Sequence, residues 1–393
     1  MRRADIHAGP IKVMVVLGTR PEAIKLAPVV LDLQAHPDFE CLLVSTAQHR
    51  ELVDEVLGLF ALEPAFDLDV MTARQPLEQV VVRVLAGMGQ VFARERPDLM
   101  LVEGDTSTVF AASLAAFYHG VPVGHVEAGL RTKDKYNPFP EEMNRRLTSH
   151  LAELHFAPTA RARENLLREN VRPELVFVTG NTVIDALRQA AALRLPLPEG
   201  VPEPANDERL VVMTAHRREN WGEPLREICL AARQLVLAHP ELRLVYAVHP
   251  NPVVQETARE VLGGVPRVAL LNFPGYGQFV SLMSRAYLIM TDSGGIQEEA
   301  PALGKPVLVL RTNTERPEGI AAGAARLAGV KQADIVKEVE RLLSNPAAYR
   351  RMARAVNPYG DGKASRRIRE AIRYYFGRRT PRPGDFKAHV PAS

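Results

Sequence analysis

Acidic side chains follow two of the short apolar runs in this sequence, at the point where each run ends. Glu103 and Asp105 come after the first run, Glu127 comes directly after the second, and Glu141 follows a proline-rich loop. If the two runs are neighbouring parallel strands, their carboxyl ends meet at one edge of a sheet. Converging carboxylates suit general acid–base chemistry at carbon. One alternative stays open for each residue, because an acidic residue after a strand also caps the next helix.

Two turns, each of which joins a predicted strand to a predicted helix, are candidate anion-binding sites. Arg20 and Lys25 lie at the start of one helix, and Gly294 and Gly295 open another, where free backbone N–H groups favour negative charge. Neither turn matches the G-x-G-x-x-G or the Walker pattern, so neither NAD nor ATP is indicated. The alternatives are solvated cations in the first turn and an ordinary strand–helix connection in the second.

Polar residues near the second turn extend this prediction. Glu299 lies one turn into the helix, where it could accept hydrogen bonds from a ribose diol. Arg316 could reach the same pyrophosphate, or it could pair with a neighbouring carboxylate. His216 and His249 each follow an apolar run, and two histidines at one sheet edge are candidates for catalysis or for structural hydrogen bonds. The segment 67–69 reads D-x-D in a stretch expected to be buried, and no metal site is predicted from it.

Strands and helices alternate along most of the chain, which predicts the α/β class with parallel sheets covered on both faces. The predicted strands are Ile11–Leu17, Glu40–Ser45, Leu99–Val102, Val123–Val126, Val176–Thr179, Leu210–Thr214, Leu242–Val248, Val268–Leu271, Leu288–Thr291 and Val307–Leu310. The clearest helix is Leu77–Glu95, in which apolar residues recur on one face.

A proline-rich stretch at 195–208 interrupts the alternation and has the composition of a linker. The pattern therefore predicts two domains, 11–180 and 181–363, with a last helix at 364–378. Residues 1–10 and 379–393 are expected to be disordered.

Composition excludes several classes of protein. The 49 Lys and Arg against 46 Asp and Glu leave a formal charge of only +3, which argues against a nucleic-acid partner. No apolar run approaches the roughly 20 residues that span a bilayer, so no membrane association is expected. With only two cysteines, a disulfide framework is not expected and the cytoplasm is the predicted location.

Several segments together resemble the non-hydrolysing UDP-N-acetylglucosamine 2-epimerases, over about 11–376. The segments are Gly18–Lys25, Thr46–Arg50, Gly104–Thr106, His125–Thr132, Pro140–Glu142, Thr291–Ala300 and Asn357–Gly362. The resemblance implies a glycosyltransferase-B-like fold of two Rossmann-like doubly wound domains. It places the active site in the interdomain cleft and the last helix back on the first domain. It further implies a homodimer that uses no metal and no other cofactor.

The resemblance also implies a reaction and its residues. UDP-GlcNAc and UDP-ManNAc interconvert by elimination of UDP to 2-acetamidoglucal and its re-addition. The implied catalytic residues are Asp105, Glu127, Glu141 and His216. The implied UDP ligands are Arg20, Lys25, Phe279, Ser293, Gly294, Gly295, Glu299 and Arg316.

A second UDP-GlcNAc site, which activates the enzyme, is implied for bacterial members of the family. The matching positions are Gln48, Glu51, Arg74, Arg217 and His249. Glu51 stands where the family often has Gln, Glu103 where it usually has His, and Asn313 where it usually has Asp. Glu103 adds a negative charge beside the proposed base and is expected to raise its pKa.

Three other functions remain open at this point: a hydrolysing relative that releases ManNAc, a glycosyltransferase of the same fold, and a nucleotide-sugar sensor without catalysis. Fold alone does not separate them. Supply of ManNAc donors for a surface polysaccharide is an expectation from the family.

Overall fold

The computed structural model describes residues 9–48, 50–72 and 75–388. These residues form two compact units. The first contains the chain up to Ala186 together with Gly360–Lys387, and the second contains Leu187–Tyr359. The sequence pattern predicts boundaries after residues 180 and 363.

A seven-stranded parallel sheet forms the centre of the first unit. Its strands are β1 (Ile11–Leu17), β2 (Phe39–Ser45), β3 (Phe66–Asp67), β4 (Leu99–Glu103), β5 (Val123–Val126), β6 (Leu154–Ala157) and β7 (Val176–Val178). Their order across the sheet is β3-β2-β1-β4-β5-β6-β7. The winding therefore reverses between β1 and β4, and ligands of such sheets bind near that reversal, at the carboxyl ends of the strands.

Helices connect these strands and contribute side chains to the hydrophobic core of the first unit. They are α1 (Arg20–Gln34), α2 (Arg50–Leu59), α3 (Leu77–Arg94), α4 (Ser107–Tyr118), α5 (Glu141–Leu151) and α6 (Ala160–Arg168). On α3, Val80, Val84, Met88 and Val91 are buried, as the apolar periodicity predicted. They pack in one cluster with Met100 of β4.

Helix α7 (Val183–Ala192) spans the division between the units. The second unit has a six-stranded parallel sheet with the order β10-β9-β8-β11-β12-β13. Its strands are β8 (Arg209–Thr214), β9 (Leu242–Val248), β10 (Val268–Asn272), β11 (Leu288–Thr291), β12 (Val307–Val309) and β13 (Ala325–Leu327). The winding again reverses, between β8 and β11. The predicted class, α/β with two Rossmann-like doubly wound domains, is confirmed.

The helices of the second unit are α8 (Glu223–Ala238), α9 (Pro252–Leu262), α10 (Tyr276–Arg285), α11 (Gly294–Glu299), α12 (Pro317–Ala321), α13 (Gln332–Ser344) and α14 (Pro346–Ala353). The hydrophobic core of this unit is a cluster of its own residues, which include Tyr246, Leu244 and Met290. The hydroxyl of Tyr246 is buried and donates to the carbonyl of Ala215 at 2.7 Å, which satisfies its polar end.

The last helix, α15 (Ala364–Tyr375), belongs to the first unit and packs on α1. Two interactions hold its N-terminal half. Asp185 of α7 accepts hydrogen bonds from the backbone N–H groups of Ala364 and Ser365, at 3.1 and 2.8 Å. Arg369 lies 3.1 Å from the carboxylate of Asp32 on α1.

The expected disorder of the C-terminal tail is wrong for residues 379–388. Phe386 donates its N–H to the carbonyl of Val178, and Asp385 accepts from the N–H of Val178, at 2.7 and 3.0 Å. Because β7 is an edge strand, its backbone groups would otherwise lack partners, and the tail supplies them. Residues 1–8 and 389–393, also expected to be disordered, lie outside the described residues.

Candidate active site

Lys25 joins two carboxylates at the carboxyl ends of β4 and β5. Its Nζ atom lies 2.8 Å from Oε1 of Glu103 and 2.7 Å from Oε1 of Glu127. Burial acts to lower the pKa of Lys25, but the two carboxylates outweigh it and hold that pKa above its ordinary value. Lys25 is therefore charged at neutral pH. Two of the three N–H donors of the ammonium point to carboxylates.

Glu127 is held in an uncommon backbone conformation, with a φ of 62°. A left-handed conformation costs a residue with a Cβ roughly 1–2 kcal/mol, and such residues cluster at functional sites. Oε2 of Glu127 accepts a hydrogen bond from Nδ2 of Asn181 at 2.8 Å. Lys25 and Asn181 thus fix both carboxylate oxygens, and the orientation of Glu127 is set by its surroundings.

Asp105 lies two residues beyond the end of β4 and pairs with Arg145 of α5. Burial raises the pKa of Asp105, and the negative charge of Glu127 adds to this effect, whereas Arg145 and Lys25 oppose it. The balance leaves the pKa above its ordinary value. A carboxyl group with a raised pKa is suited to exchange a proton near neutral pH.

Glu141 and Glu142 begin α5 but differ in their surroundings. Glu141 is half-buried, while Glu142 is fully buried and accepts from Arg146 at 2.7 Å and from the N–H of Thr132 at 3.1 Å. Glu142 therefore has a structural role in tying the preceding loop to α5. The catalytic role of Glu141 stays a prediction.

The start of α1 holds a carboxylate of the chain itself. Oε2 of Glu22 accepts the N–H groups of Gly18 and Thr19, at 2.6 and 3.0 Å. Glu22 therefore binds the two N–H groups that precede α1, and anion binding by the N–H groups of the helix itself stays a prediction. Binding of UDP by Arg20, which begins α1, and by Lys25 stays a prediction.

In the second unit, Asp292 connects the turn after β8 with the turn after β11. Its Oδ2 atom accepts from the N–H groups of His216 and Arg217, both at 2.8 Å, and from Nδ2 of Asn220 at 2.9 Å. Its Oδ1 atom is buried and lies 3.9 Å from Nε2 of His216. The arrangement fixes His216 at the reversal between β8 and β11.

The ring of His216 stacks on that of His249, with centroids 5.3 Å apart. Burial lowers the pKa of His216, Asp292 opposes this effect, and His249 adds to it. The net pKa lies below its ordinary value, so His216 is mainly neutral at pH 7 and can accept a proton. The two histidines meet at the sheet edge that the sequence predicted.

Two guanidinium groups face the glycines that begin α11. A methyl group on Gly294 would lie 3.5 Å from Nη2 of Arg217 and 3.8 Å from Nη2 of Arg316. Arg316 also pairs with the carboxylate of Glu298. Ser293, the residue before the helix, donates its N–H back to the Thr291 hydroxyl at 2.9 Å. Arg316 thus pairs with a carboxylate and also lies near Gly294. Its position is therefore compatible with both predicted roles, an ion pair and a contact with the pyrophosphate.

A hydrogen bond joins Glu299 to the helix that carries Phe279. Oε2 of Glu299 accepts from the hydroxyl of Tyr276 at 3.3 Å, and Tyr276 begins the helix that carries Phe279. The ring of Phe279 is buried and stacks on that of Phe273, with centroids 5.0 Å apart. A methyl group on Gly295 would lie 3.5 Å from Oε1 of Glu299, so the turn and this carboxylate are adjacent.

The positions matching an activator site are spread over both units. Gln48 accepts from the hydroxyl of Thr108 at 2.8 Å, and Glu51 is exposed in the first turn of α2. Arg74 lies outside the described residues. Arg217 and His249 are the neighbours of Gly294 and His216 described above.

The D-x-D segment is a surface feature, contrary to the expected burial. Asp67 and Asp69 are exposed, and both pair with Arg50 at 2.8 and 3.0 Å. Within the described ranges, no group of three or more His, Cys, Asp or Glu side chains could hold a metal ion. Among the same residues, no helix combines the length and apolar character that crossing a membrane requires.

Sequence reasoning missed the residues that position the site. Asp292 follows a strand just as Asp105 does, so its signal was present in the sequence. Asn181 and Arg145 had no comparable signal, because each reaches its carboxylate from an element distant in sequence.

The two doubly wound sheets define a two-domain protein of the glycosyltransferase-B-like class. A calicheamicin glycosyltransferase structure, CalG4, shares this fold with a TM-score of 0.59 at 15% identity, over 95% of this chain and all of that one. That similarity concerns the fold alone.

The family model for UDP-N-acetylglucosamine 2-epimerase matches residues 31–373. A UDP-N-acetylglucosamine 2-epimerase of Bacillus subtilis is 48% identical over 96% of this chain and 98% of its own. One from Escherichia coli O157:H7 is 51% identical over 92% and 98%. A Neisseria meningitidis UDP-GlcNAc 2-epimerase, solved bound to UDP-GlcNAc, superposes with a TM-score of 0.83 at 46% identity, over 92% of this chain and 99% of that one. The chain belongs to the UDP-N-acetylglucosamine 2-epimerase family.

Proposed function

We propose that this chain is a non-hydrolysing UDP-N-acetylglucosamine 2-epimerase that interconverts UDP-GlcNAc and UDP-ManNAc. Membership of the family supports the epimerase activity. The observation that carries the proposal further is the arrangement of Glu127 and Asp105 beside Lys25 and Arg145, at the reversal of the first sheet. Such an arrangement supplies carboxylates whose proton affinities are set by neighbouring charges.

The chemistry explains why these groups are needed. The hydrogen at C2 of the sugar is not acidic, because no carbonyl flanks that carbon. Breaking the anomeric C–O bond first builds positive charge at C1, and the C2 hydrogen then becomes acidic. Loss of that proton gives 2-acetamidoglucal and UDP, and re-addition of UDP with a proton delivered to the opposite face of C2 gives the epimer. Asp105, Glu127 and Glu141 are the proposed acid–base groups, with their individual roles unassigned.

Residues of the second unit are proposed to bind UDP and to stabilise it as it leaves. Arg316 and the turn at Gly294 and Gly295 supply positive charge and backbone donors to the diphosphate, and His216 assists its departure. Glu299 is proposed to accept from the ribose hydroxyls, and Phe279 to lie near the uracil. Arg20, Lys25 and Ser293 complete the proposed UDP ligands.

UDP-GlcNAc is also the proposed activator, through Gln48, Glu51, Arg74, Arg217 and His249. Such activation predicts a lag when the reaction starts from UDP-ManNAc alone, because the activator must first accumulate. We further propose a cytoplasmic homodimer that supplies ManNAc donors for a surface polysaccharide.

The decisive experiment follows hydrogen at C2. The protein is incubated with UDP-GlcNAc in heavy water, without added metal, nicotinamide or acceptor, and both nucleotide sugars are analysed by NMR and mass spectrometry. Deuterium should appear at C2 of UDP-GlcNAc and of UDP-ManNAc, because a carboxyl group exchanges its proton with solvent. Glu127→Gln, which keeps the size of the side chain but not its basicity, is the matched control and should incorporate far less label.

Each alternative gives a different product. UDP-ManNAc without deuterium at C2 would disprove proton abstraction while leaving the epimerase activity standing. Accumulating free ManNAc would indicate a hydrolysing enzyme. Unlabelled and unconverted UDP-GlcNAc would point to a glycosyltransferase or a sensor.

A further inference from the structure

Glu103 shares the ammonium group of Lys25 with Glu127 but is not itself among the proposed acid–base groups. Its side chain is 2% exposed, whereas that of Glu127 is 11% exposed. The buried carboxylate therefore holds one side of Lys25, while Glu127, on the other side, is the more accessible of the two. A buried carboxylate is retained against a desolvation cost, which the ion pair with Lys25 offsets.

We propose that Glu103 is a positioning residue: it holds Lys25 against Glu127 and shares the ammonium charge that would otherwise act on Glu127 alone. This inference rests on the proposed function, in which Glu127 exchanges a proton with the substrate. Glu103 does not contact the reacting atoms in this scheme and acts through Lys25.

The charges around this pair come from four elements. Glu22 and Lys25 lie on α1, and Arg145 on α5 faces the cluster through Asp105, which follows β4. His125 on β5 also faces Glu127, but burial lowers the pKa of His125 to about 4, so it is neutral at pH 7.

The pKa of Glu103 depends on burial and on the same two neighbours, Lys25 and Glu127. Burial raises the pKa of Glu103 well above its ordinary value, the negative charge of Glu127 adds to the rise, and Lys25 opposes it. Its ionisation therefore falls nearer to neutral pH than that of an exposed glutamate. When Glu103 is ionised, Lys25 balances two carboxylates, and Glu127 holds a proton more readily than it would beside an undivided ammonium charge.

The substitution Glu103→Gln tests this role. The amide keeps the shape and an oxygen acceptor for Lys25 but carries no charge at any pH. We expect KM for UDP-GlcNAc within about twofold of the wild type, while kcat loses the step in its pH profile that accompanies ionisation of Glu103, because Lys25 then acts on Glu127 alone at every pH. The matched control is Glu95→Gln, which removes a carboxylate paired with Lys12. Lys12 lies near the N-terminal end of β1, away from the cluster around Lys25. The pH profile of Glu95→Gln should not move.

A second measurement does not depend on turnover. Carboxyl carbons of glutamate are labelled with ¹³C, and their titration is followed by NMR in the wild type and in Glu103→Gln. Loss of one titration that lies above the range of an exposed glutamate, together with loss of the change that it causes in the signal of Glu127, supports the proposal. If Glu103→Gln does not fold, Glu103→Asp, which keeps an ionisable carboxyl group, should retain the step in kcat, and its loss would count against the proposal.

The outcomes separate this inference from the proposed function. An inactive wild type would refute the epimerase proposal, while the NMR titration would still decide whether Glu103 and Glu127 share Lys25. An active wild type whose pH profile and carboxyl titrations are unchanged by Glu103→Gln would overturn the inference and leave the epimerase standing. An equal change in the pH profile of Glu95→Gln would also overturn it.

Discussion

At the scale of the residue, Asp105 and Glu127 are held so that neither carboxylate can turn away from the carboxyl ends of β4 and β5. Arg145 pairs with the first, and Lys25 and Asn181 fix the second. We expect Asp105→Asn and Glu127→Gln each to lower kcat by at least ~100-fold, the lower end of general acid–base contributions. Conversion of UDP-GlcNAc, measured under saturating substrate, checks this value.

Binding of UDP supplies the internal control for these two variants. The proposed phosphate ligands belong mainly to the second unit, so the Kd for UDP should change less than about fivefold, well under 1.4 kcal/mol. Glu164→Gln, which alters an exposed carboxylate on α6, should leave both kcat and Kd unchanged. Near-wild-type kcat in both Asp105→Asn and Glu127→Gln would exclude the proposed acid–base roles.

The sequence predicted where the carboxylates stand but not what they contact. Asp105 and Glu127 could be located because each follows a run of buried apolar residues, and strand ends of a parallel sheet share an edge. Their partners could not, because Lys25 lies 78 residues from Glu103 and 102 from Glu127 in the chain. Glu22 shows the same limit, since its carboxylate folds back to accept the N–H groups of Gly18 and Thr19, a contact that the sequence pattern did not predict.

At the scale of the element, most strands were predictable from their apolar runs, whereas β3, β6 and β13 were not. The runs of β1, β4 and β9 are almost entirely buried, so each reads as a continuous apolar stretch. The strands β3, β6 and β13 span only two to four residues, and β6 contains His155, so neither length nor composition marked them. Their positions follow from pairing with neighbouring strands, which a local pattern does not contain.

The N-terminus of α15 is capped by the side chain of Asp185, which lies on α7. Its two oxygens accept the N–H groups of Ala364 and Ser365, and the side chain is buried. Asp185→Ala leaves both donors without this partner, at a cost of about 1–3 kcal/mol. We expect amide hydrogens of α15 to exchange at least ~10-fold faster, as measured by mass spectrometry on peptides from 364–375.

A matched substitution tests whether this effect is local. Asp334 lies in the first turn of α13, where its side chain is exposed. Asp334→Asn should leave exchange in α15 unchanged. Protection of α15 that is equal in the wild type and in Asp185→Ala would show that packing on α1, rather than the cap, holds the helix.

At the scale of the whole molecule, each of the two units has a large hydrophobic core of similar construction among its described residues. Each core is built around the central strands of a parallel sheet, with Met100 on β4 in one and Met290 on β11 in the other. Both methionines are 0% exposed. The two therefore provide equivalent sites for a deletion of apolar volume, one in each unit.

The chain contains a single tryptophan, Trp221, which packs against the core of the second unit. Its fluorescence therefore reports unfolding of that unit, whereas far-ultraviolet circular dichroism reports both. Met→Ala in a packed core costs roughly 2–5 kcal/mol. If each core stabilises its own unit, Met290→Ala should lower the denaturant midpoint of the Trp221 transition. Met100→Ala should leave that midpoint in place and instead move an earlier part of the circular dichroism transition. Equal displacement of the Trp221 midpoint by both substitutions would mean that the two units unfold as one cooperative structure.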